Sequence, residues 1–104
     1  MFKTKKISED EIVLLVSGSM TGESVGLFER ALDSLQKSSY RTITLDLTKV
    51  VDVSSLFVGH ILHCHKNLMA ENRNIRVCGY QDSVGEIFKL LNVDNTIQMT
   101  KEPI

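Results

Sequence analysis

Tryptophan is absent from the sequence, cysteine occurs twice, and the single proline, Pro103, lies in the tail. The longest apolar runs, IVLLV and SLFVGHIL, fall far short of the roughly 20 residues that cross a bilayer. The opening MFKTKKISEDE has no apolar core of the kind a signal peptide requires. Neither a membrane-spanning helix nor a secretory leader is expected, and a cytoplasmic location without membrane insertion is expected. A net charge of one sign is also missing: 12 Lys plus Arg stand against 13 Asp plus Glu, a formal charge of -1. The summed positive field on which nucleic-acid binding relies is not there.

Catalytic signatures are scarce as well. There is no CxxC, so Cys64 and Cys78 read as reduced small hydrophobes and not as a redox pair. Neither GxxxxGK[ST] nor GxGxxG occurs, which removes the two common phosphate cradles. Ser54 or Ser55 with His60 or His63 has no GxSxG elbow and no orienting acid, so the serine and histidine proximity does not make a nucleophilic site. No enzyme activity and no cofactor are expected.

What the chain does have is an ordinary globular composition, 42% hydrophobic and 24% charged over 104 residues. A chain of this size buries roughly 60–70% of its unfolded surface, enough for one modest core. One domain spanning 1–104 is expected. FKTKKIS and EIVLLVSG read as strands, with the acidic SEDE between them as a hairpin turn. Glycines 18 and 22 punctuate GSMTG. Val25, Phe28, Leu32 and Leu35 then recur at three- and four-residue spacing, predicting a helix over about 23–37.

In RTITLDL, Ile43, Leu45 and Leu47 alternate with polar residues as a third strand, followed by an exit loop from Lys49 to Ser55. From Ser55 the period changes, and Val58, Ile61, Leu62, His65, Leu68 and Met69 fall on one helical stripe. IRVCGY is a short fourth strand. In DSVGEIFKLLNV, Ser83 and Glu86 have capping-box spacing ahead of a third helix, and TIQMT closes as a short fifth strand. Strands separated by helices make this an α/β chain with βαβ units, a mixed sheet of four to five strands, an initial β-hairpin and three main helices.

The stretch VVDVSSLFVGHILHCH concentrates the chemistry. His60, His63 and Cys64 share a helical face at i, i+3 and i+4, and imidazole with thiolate suits zinc, but no fourth ligand is evident. His65 falls on the apolar stripe, where it reads as a partly buried histidine hydrogen-bonded to backbone. The serine pair reads first as a helix N-cap. The same place also favours an added phosphate, because free N–H groups and the positive end of the helix dipole stabilise an anion.

The order strand, strand, helix, strand, serine-led helix, strand, helix, strand resembles the STAS domain, shared by anti-sigma-factor antagonists and the tails of sulfate transporters. SGSMTGES resembles the turn after that family's second strand, TITLDLTKV its third strand, and SVGEIFKLLNVDNTIQM its closing helix and strand. The fold implied is a single STAS-like domain.

The family's most informative motif is an apolar residue followed by Asp-Ser-Ser-Gly-Leu-Gly, whose first serine is phosphorylated in the antagonist branch. A gapless match sets Ser54 on its Asp, Ser55 on the phosphorylated serine, Leu56 on the next small residue, Phe57 on the first glycine and Gly59 on the second. The resemblance thus implies a phosphorylation switch at Ser55. A one-residue slip instead makes Ser54 the acceptor and Asp52 a displaced acid.

Ser54 departs from the motif by lacking a charge, and Phe57 by placing a ring beside the surface a kinase would cover. The implied partners are a serine kinase that is also an anti-sigma factor and a metal-dependent serine phosphatase, and a weak homodimer is left open. They would dock on Thr21, Gly22, Asp52, Ser54, Ser55, Leu56, Phe57, Gly59 and His60. The alternative is a constitutive STAS subunit, for example of a lipid-transport ATPase complex, with Phe57 and His60 buried in its interface.

Overall fold

The computed structural model describes residues 2–103. Strand β1 (Phe2–Lys6) turns into β2 (Glu11–Met20), and helix α1 (Glu23–Gln36) leads to β3 (Thr42–Val53). Helix α2 (Ser55–Met69), β4 (Asn74–Cys78), α3 (Asp82–Leu90), a 3-10 turn (Val93–Asn95) and β5 (Gln98–Thr100) follow. The five strands lie side by side in chain order. The β1–β2 pair is antiparallel and every later pair is parallel. The expected α/β architecture, with its opening hairpin, three helices and mixed sheet, is the one observed.

Three crossovers that each step one strand in the same direction place α1, α2 and α3 on one face, because parallel crossovers keep one hand. The register lines up Ile12, Ile43 and Ile75, and then Leu14, Leu45 and Val77, across that face. With Phe28, Phe57, Ile61, Leu68, Val84 and Phe88 from the helices they form one buried cluster. At the hairpin, Ser8 Oγ accepts from the N–H groups of Asp10 and Glu11, each at 3.2 Å, which fixes the turn read from SEDE.

The opposite face carries a polar network beside buried Val13 and Cys78. Arg76 Nη2 donates to Glu11 Oε2 at 2.6 Å, and Thr44 Oγ1 donates to the same oxygen at 2.8 Å. These long side chains lie over the sheet, and Thr44 is fully buried although it alternates with the core residues of β3. Asp46 is buried too, its Oδ1 accepting from Thr48 N at 2.9 Å and from Thr48 Oγ1 at 2.6 Å. At Gly79, φ is +68°, and a Cβ would strike Thr48 Oγ1 and Asp46 Oδ1, so only glycine fits the exit of β4.

Three local readings change. The segment 49–53 is not a loop: β3 runs on to Val53 because it pairs with the end of β2, Ser19 opposite Asp52 and Met20 opposite Val53. Ser83 does not cap α3, which starts at Asp82 with extended Gln81 as its N-cap and no side-chain cap bond. The buried stripe of α2 is Phe57, Val58, Ile61, Cys64 and Leu68, so the helix is rotated from the expected phase and Met69 is 56% exposed.

Phe57 sets that phase. Its ring lies against Phe28 of α1 at 4.4 Å between centroids, and Phe28 in turn meets Phe2 at 6.2 Å. Phe57→Ala should lower stability by about 3–5 kcal/mol, the usual range for truncating a fully buried phenylalanine. The check is a urea midpoint that falls while the slope is unchanged; a loss below about 1 kcal/mol would place the ring outside the core.

Candidate functional site

The parallel β2–β3 pair brings two distant segments to one end of the sheet. Its register slips between Leu15 and Ser17 and again between Gly18 and Ser19. Gly18 takes a φ of +98°, a value that side chains disfavour. Ser19 Oγ donates to Asp52 Oδ2 at 2.9 Å. Its proton being committed there, the Thr21 hydroxyl donates to Ser19 Oγ at 3.0 Å. Ser24 Oγ lies 2.6 Å from the Ser19 carbonyl and 2.7 Å from that of Thr21, and donates between them. Ser54 N–H closes the corner by donating to the Met20 carbonyl at 3.1 Å.

The two adjacent serines do different things. Ser54 is extended (φ -99°, ψ 163°) and caps α2, its Oγ accepting from Phe57 N–H at 3.2 Å. Ser55 is the first helical residue and is exposed. Leu56 beside it is 60% exposed and Val51 is 56% exposed, so apolar surface flanks the exposed hydroxyl. Gly59, one turn on from Ser55, is exposed, and nothing lies within 4 Å of where its Cβ would be. Thr21, Gly22 and Asp52 are exposed at the same end.

Two expected docking residues lie elsewhere. Phe57 is fully buried within the protein's own core, so neither a kinase nor a transporter subunit meets its ring. His60, five residues beyond Ser55, is turned about 140° around the helix from it. It faces α1, with Nδ1 3.3 Å from Glu29 Oε2.

The face of His60, His63 and Cys64, for which the sequence offers no fourth ligand, also lacks the chemistry of a zinc site. Cys64 is buried where it borders a small cavity with His60 and His63, and burial pushes its thiol up to about 11. The nearby Arg73 guanidinium offsets part of that rise and Asp33 adds to it. A thiol so placed does not ionise readily into a ligand. Among the described residues no group of three or more His, Cys, Asp or Glu is arranged to hold a metal ion. His65 lacks its expected backbone hydrogen bond: Nδ1 is buried with no partner.

Sequence reasoning missed Arg73, whose Nε donates to the Tyr40 carbonyl at 2.7 Å and whose Nη1 donates to the Gln36 carbonyl at 2.7 Å. It ties the end of α1 to the turn after α2, and nothing in ENRN marks it out. For Phe57 a signal existed, since positions 57, 61, 64 and 68 also repeat at helical spacing.

A family model described as Mlab, STAS domain, matches residues 4–101. The chain belongs to the STAS family. No curated protein matches it by sequence. Among solved structures it is similar to the anti-sigma factor antagonist SpoIIAA in its unphosphorylated form, with 14% identity, 95% of this chain and 87% of that chain covered, and a TM-score of 0.80. An anti-sigma factor antagonist from Mycobacterium paratuberculosis shares 16% identity over 96% of this STAS chain and 84% of its own, at a TM-score of 0.87. Bacillus SpoIIAA in the phosphorylated form gives 13% identity, 95% and 90% coverage, and a TM-score of 0.74. At such identities the likeness carries the fold, and the fold is the STAS architecture of these antagonists. No helix among the described residues is long and apolar enough to cross a membrane.

The separate placements of the serines predict separate consequences. Ser54→Ala removes the cap and should cost about 0.5–2 kcal/mol, whereas Ser55→Ala should stay within about 0.5 kcal/mol of the parent. Denaturant unfolding of the two variants checks this; equal losses would mean that both hydroxyls are structural.

Proposed function

We propose that this STAS protein is a non-enzymatic, cytoplasmic regulator of the anti-sigma-factor-antagonist type. It docks a serine kinase that doubles as an anti-sigma factor, and phosphorylation of Ser55 switches that docking. The observation that carries the reading is the division between the serines: Ser54 is occupied as the N-cap, and Ser55 next to it is exposed at the start of α2. A phosphate on Ser55 would sit where the helix dipole stabilises an anion, so the modification need not unfold the domain. It adds about -1.5 to -2 charges in the midst of Val51, Leu56 and the Ser19–Asp52 corner. A partner packed on that surface would have to desolvate the new charge, which weakens docking.

The docking residues proposed are Thr21, Gly22, Asp52, Ser54, Ser55, Leu56 and Gly59. The burial of Phe57 supports this reading, because the motif's first glycine is replaced without a ring being put in the partner's way. That SpoIIAA has been solved in both phosphorylated and unphosphorylated forms supports a fold able to carry the modification. A metal-dependent serine phosphatase would reverse it.

The exposed apolar side chains of Val51 and Leu56 favour one second reading, a constitutive binding subunit such as that of a lipid-transport ATPase complex. Incubation with a serine kinase of the anti-sigma type and ATP, followed by intact-mass measurement, tests the first. One phosphate should add to the parent chain and none to Ser55→Ala. Phosphate that persists in Ser55→Ala, or a chain that stays unmodified and co-purifies with an ATPase subunit, would overturn it.

A further inference from the structure

We propose that the helix-free face of the sheet carries a binding site for a small hydroxylated carboxylate. Strand register sets the floor of this site. Lys3 on β1 stands opposite Leu15 on β2, and Leu15 opposite Asp46 on β3, so the three form one row across that face. A cavity of about 430 Å³ lies over the row, closed by Thr48 and Lys49 farther along β3 and by Pro103 of the tail. Its size is that of a small-molecule pocket, and like such pockets it sets a few charged groups around apolar surface, here from Leu15 and Pro103.

Charge selects the occupant. Lys3 and Lys49 come from the strands on either side of β2, and both are exposed. Neither enters an ion pair among the described residues. Asp46 is the one carboxylate among the described residues that borders the cavity. Two ammonium groups against one carboxylate leave an excess positive charge, which favours a ligand that is an anion.

Asp46 adds a second requirement. Its Oδ1 accepts both Thr48 bonds, whereas Oδ2 accepts none among the described residues and is not one of the buried atoms left without a partner. An open carboxylate oxygen accepts from a ligand's O–H. The ligand's own carboxylate then lies over β2 between Lys3 and Lys49, its apolar body on Leu15 and Pro103, and its hydroxyl on Asp46. Rows of strands stand about 4.8 Å apart, so Lys3 and Asp46 are separated by about 10 Å of sheet, a span that a hydroxylated aromatic acid bridges with the side chains reaching in. Helix α2, which carries Ser55, packs on the other face, so the two sites do not overlap.

Titration of the isotope-labelled full chain with para-hydroxybenzoate in low-salt buffer, followed through the amide NMR shifts, tests the site. The amides of Lys3, Leu15, Asp46, Thr48 and Lys49 should move and saturate with a Kd of about 1 mM or tighter, while those of Ser55 and Leu56 stay in place. Benzoate, which lacks the hydroxyl, and phenol, which lacks the charge, should each bind at least about threefold more weakly. A variant combining Lys3→Gln and Lys49→Gln should bind about tenfold more weakly with its unfolding midpoint unchanged. No saturable shift, or shifts centred on another surface, overturns the proposal. So does benzoate or phenol binding as tightly as para-hydroxybenzoate, or a double variant that binds like the parent.

Discussion

Phe57 packs against Phe28 with the ring centroids 4.4 Å apart, and this contact fixes the rotation of α2 about its axis. Both rings are fully buried, so turning the helix would drag a large apolar side chain into water. With the rotation set, Val58, Ile61, Cys64 and Leu68 must also face inward, and Ser55, Leu56 and Gly59 must face out. His60 is carried to the side where Glu29 of α1 meets it. Each property of the site, from the hydroxyl that is available to the thiol that is not, follows from that packing.

The second constraint is the parallel pairing of β2 with β3. It sets Ser19 against Asp52 and Met20 against Val53, and so joins the turn before α1 to the start of α2 although the two lie far apart in sequence. The Ser54 N–H bond to the Met20 carbonyl extends that ladder to the helix cap. The cap and the corner are thus one hydrogen-bonded unit, and Ser55 stands just outside it. A modification there changes the surface and leaves the scaffold's own bonds intact.

Much of the architecture was legible because hydropathy periods report directly on which side of a local element is buried. The hairpin turn at Ser8, the helix read over about 23–37 and observed over Glu23–Gln36 with Val25, Phe28, Leu32 and Leu35 inward, and the short closing strand stand in the structure. The rotation of α2 was not legible. Two stripes share Val58, Ile61 and Leu68, one adding Leu62, His65 and Met69 and the other Phe57 and Cys64, and hydropathy does not rank them. What decides is Phe28, a partner from another helix that spacing within α2 cannot reveal.

The same limit explains the false capping box, where Ser83 and Glu86 have the spacing but the chain is still extended only as far as Gln81. It also explains 49–53, whose strand character comes from register with β2. In the site, the choice between two adjacent serines rested on resemblance, and the structure adds only that Ser54 caps α2 through Phe57 N–H while Ser55 is exposed.

The central claim is that Ser54 holds the helix while Ser55 governs docking. Its most direct test is calorimetric titration of the proposed serine kinase partner with the unmodified chain and with the chain carrying phosphoserine at 55. Affinity should be at least about tenfold weaker for the phosphorylated chain, a difference of about 1.4 kcal/mol. Equal affinity for the two forms would contradict it.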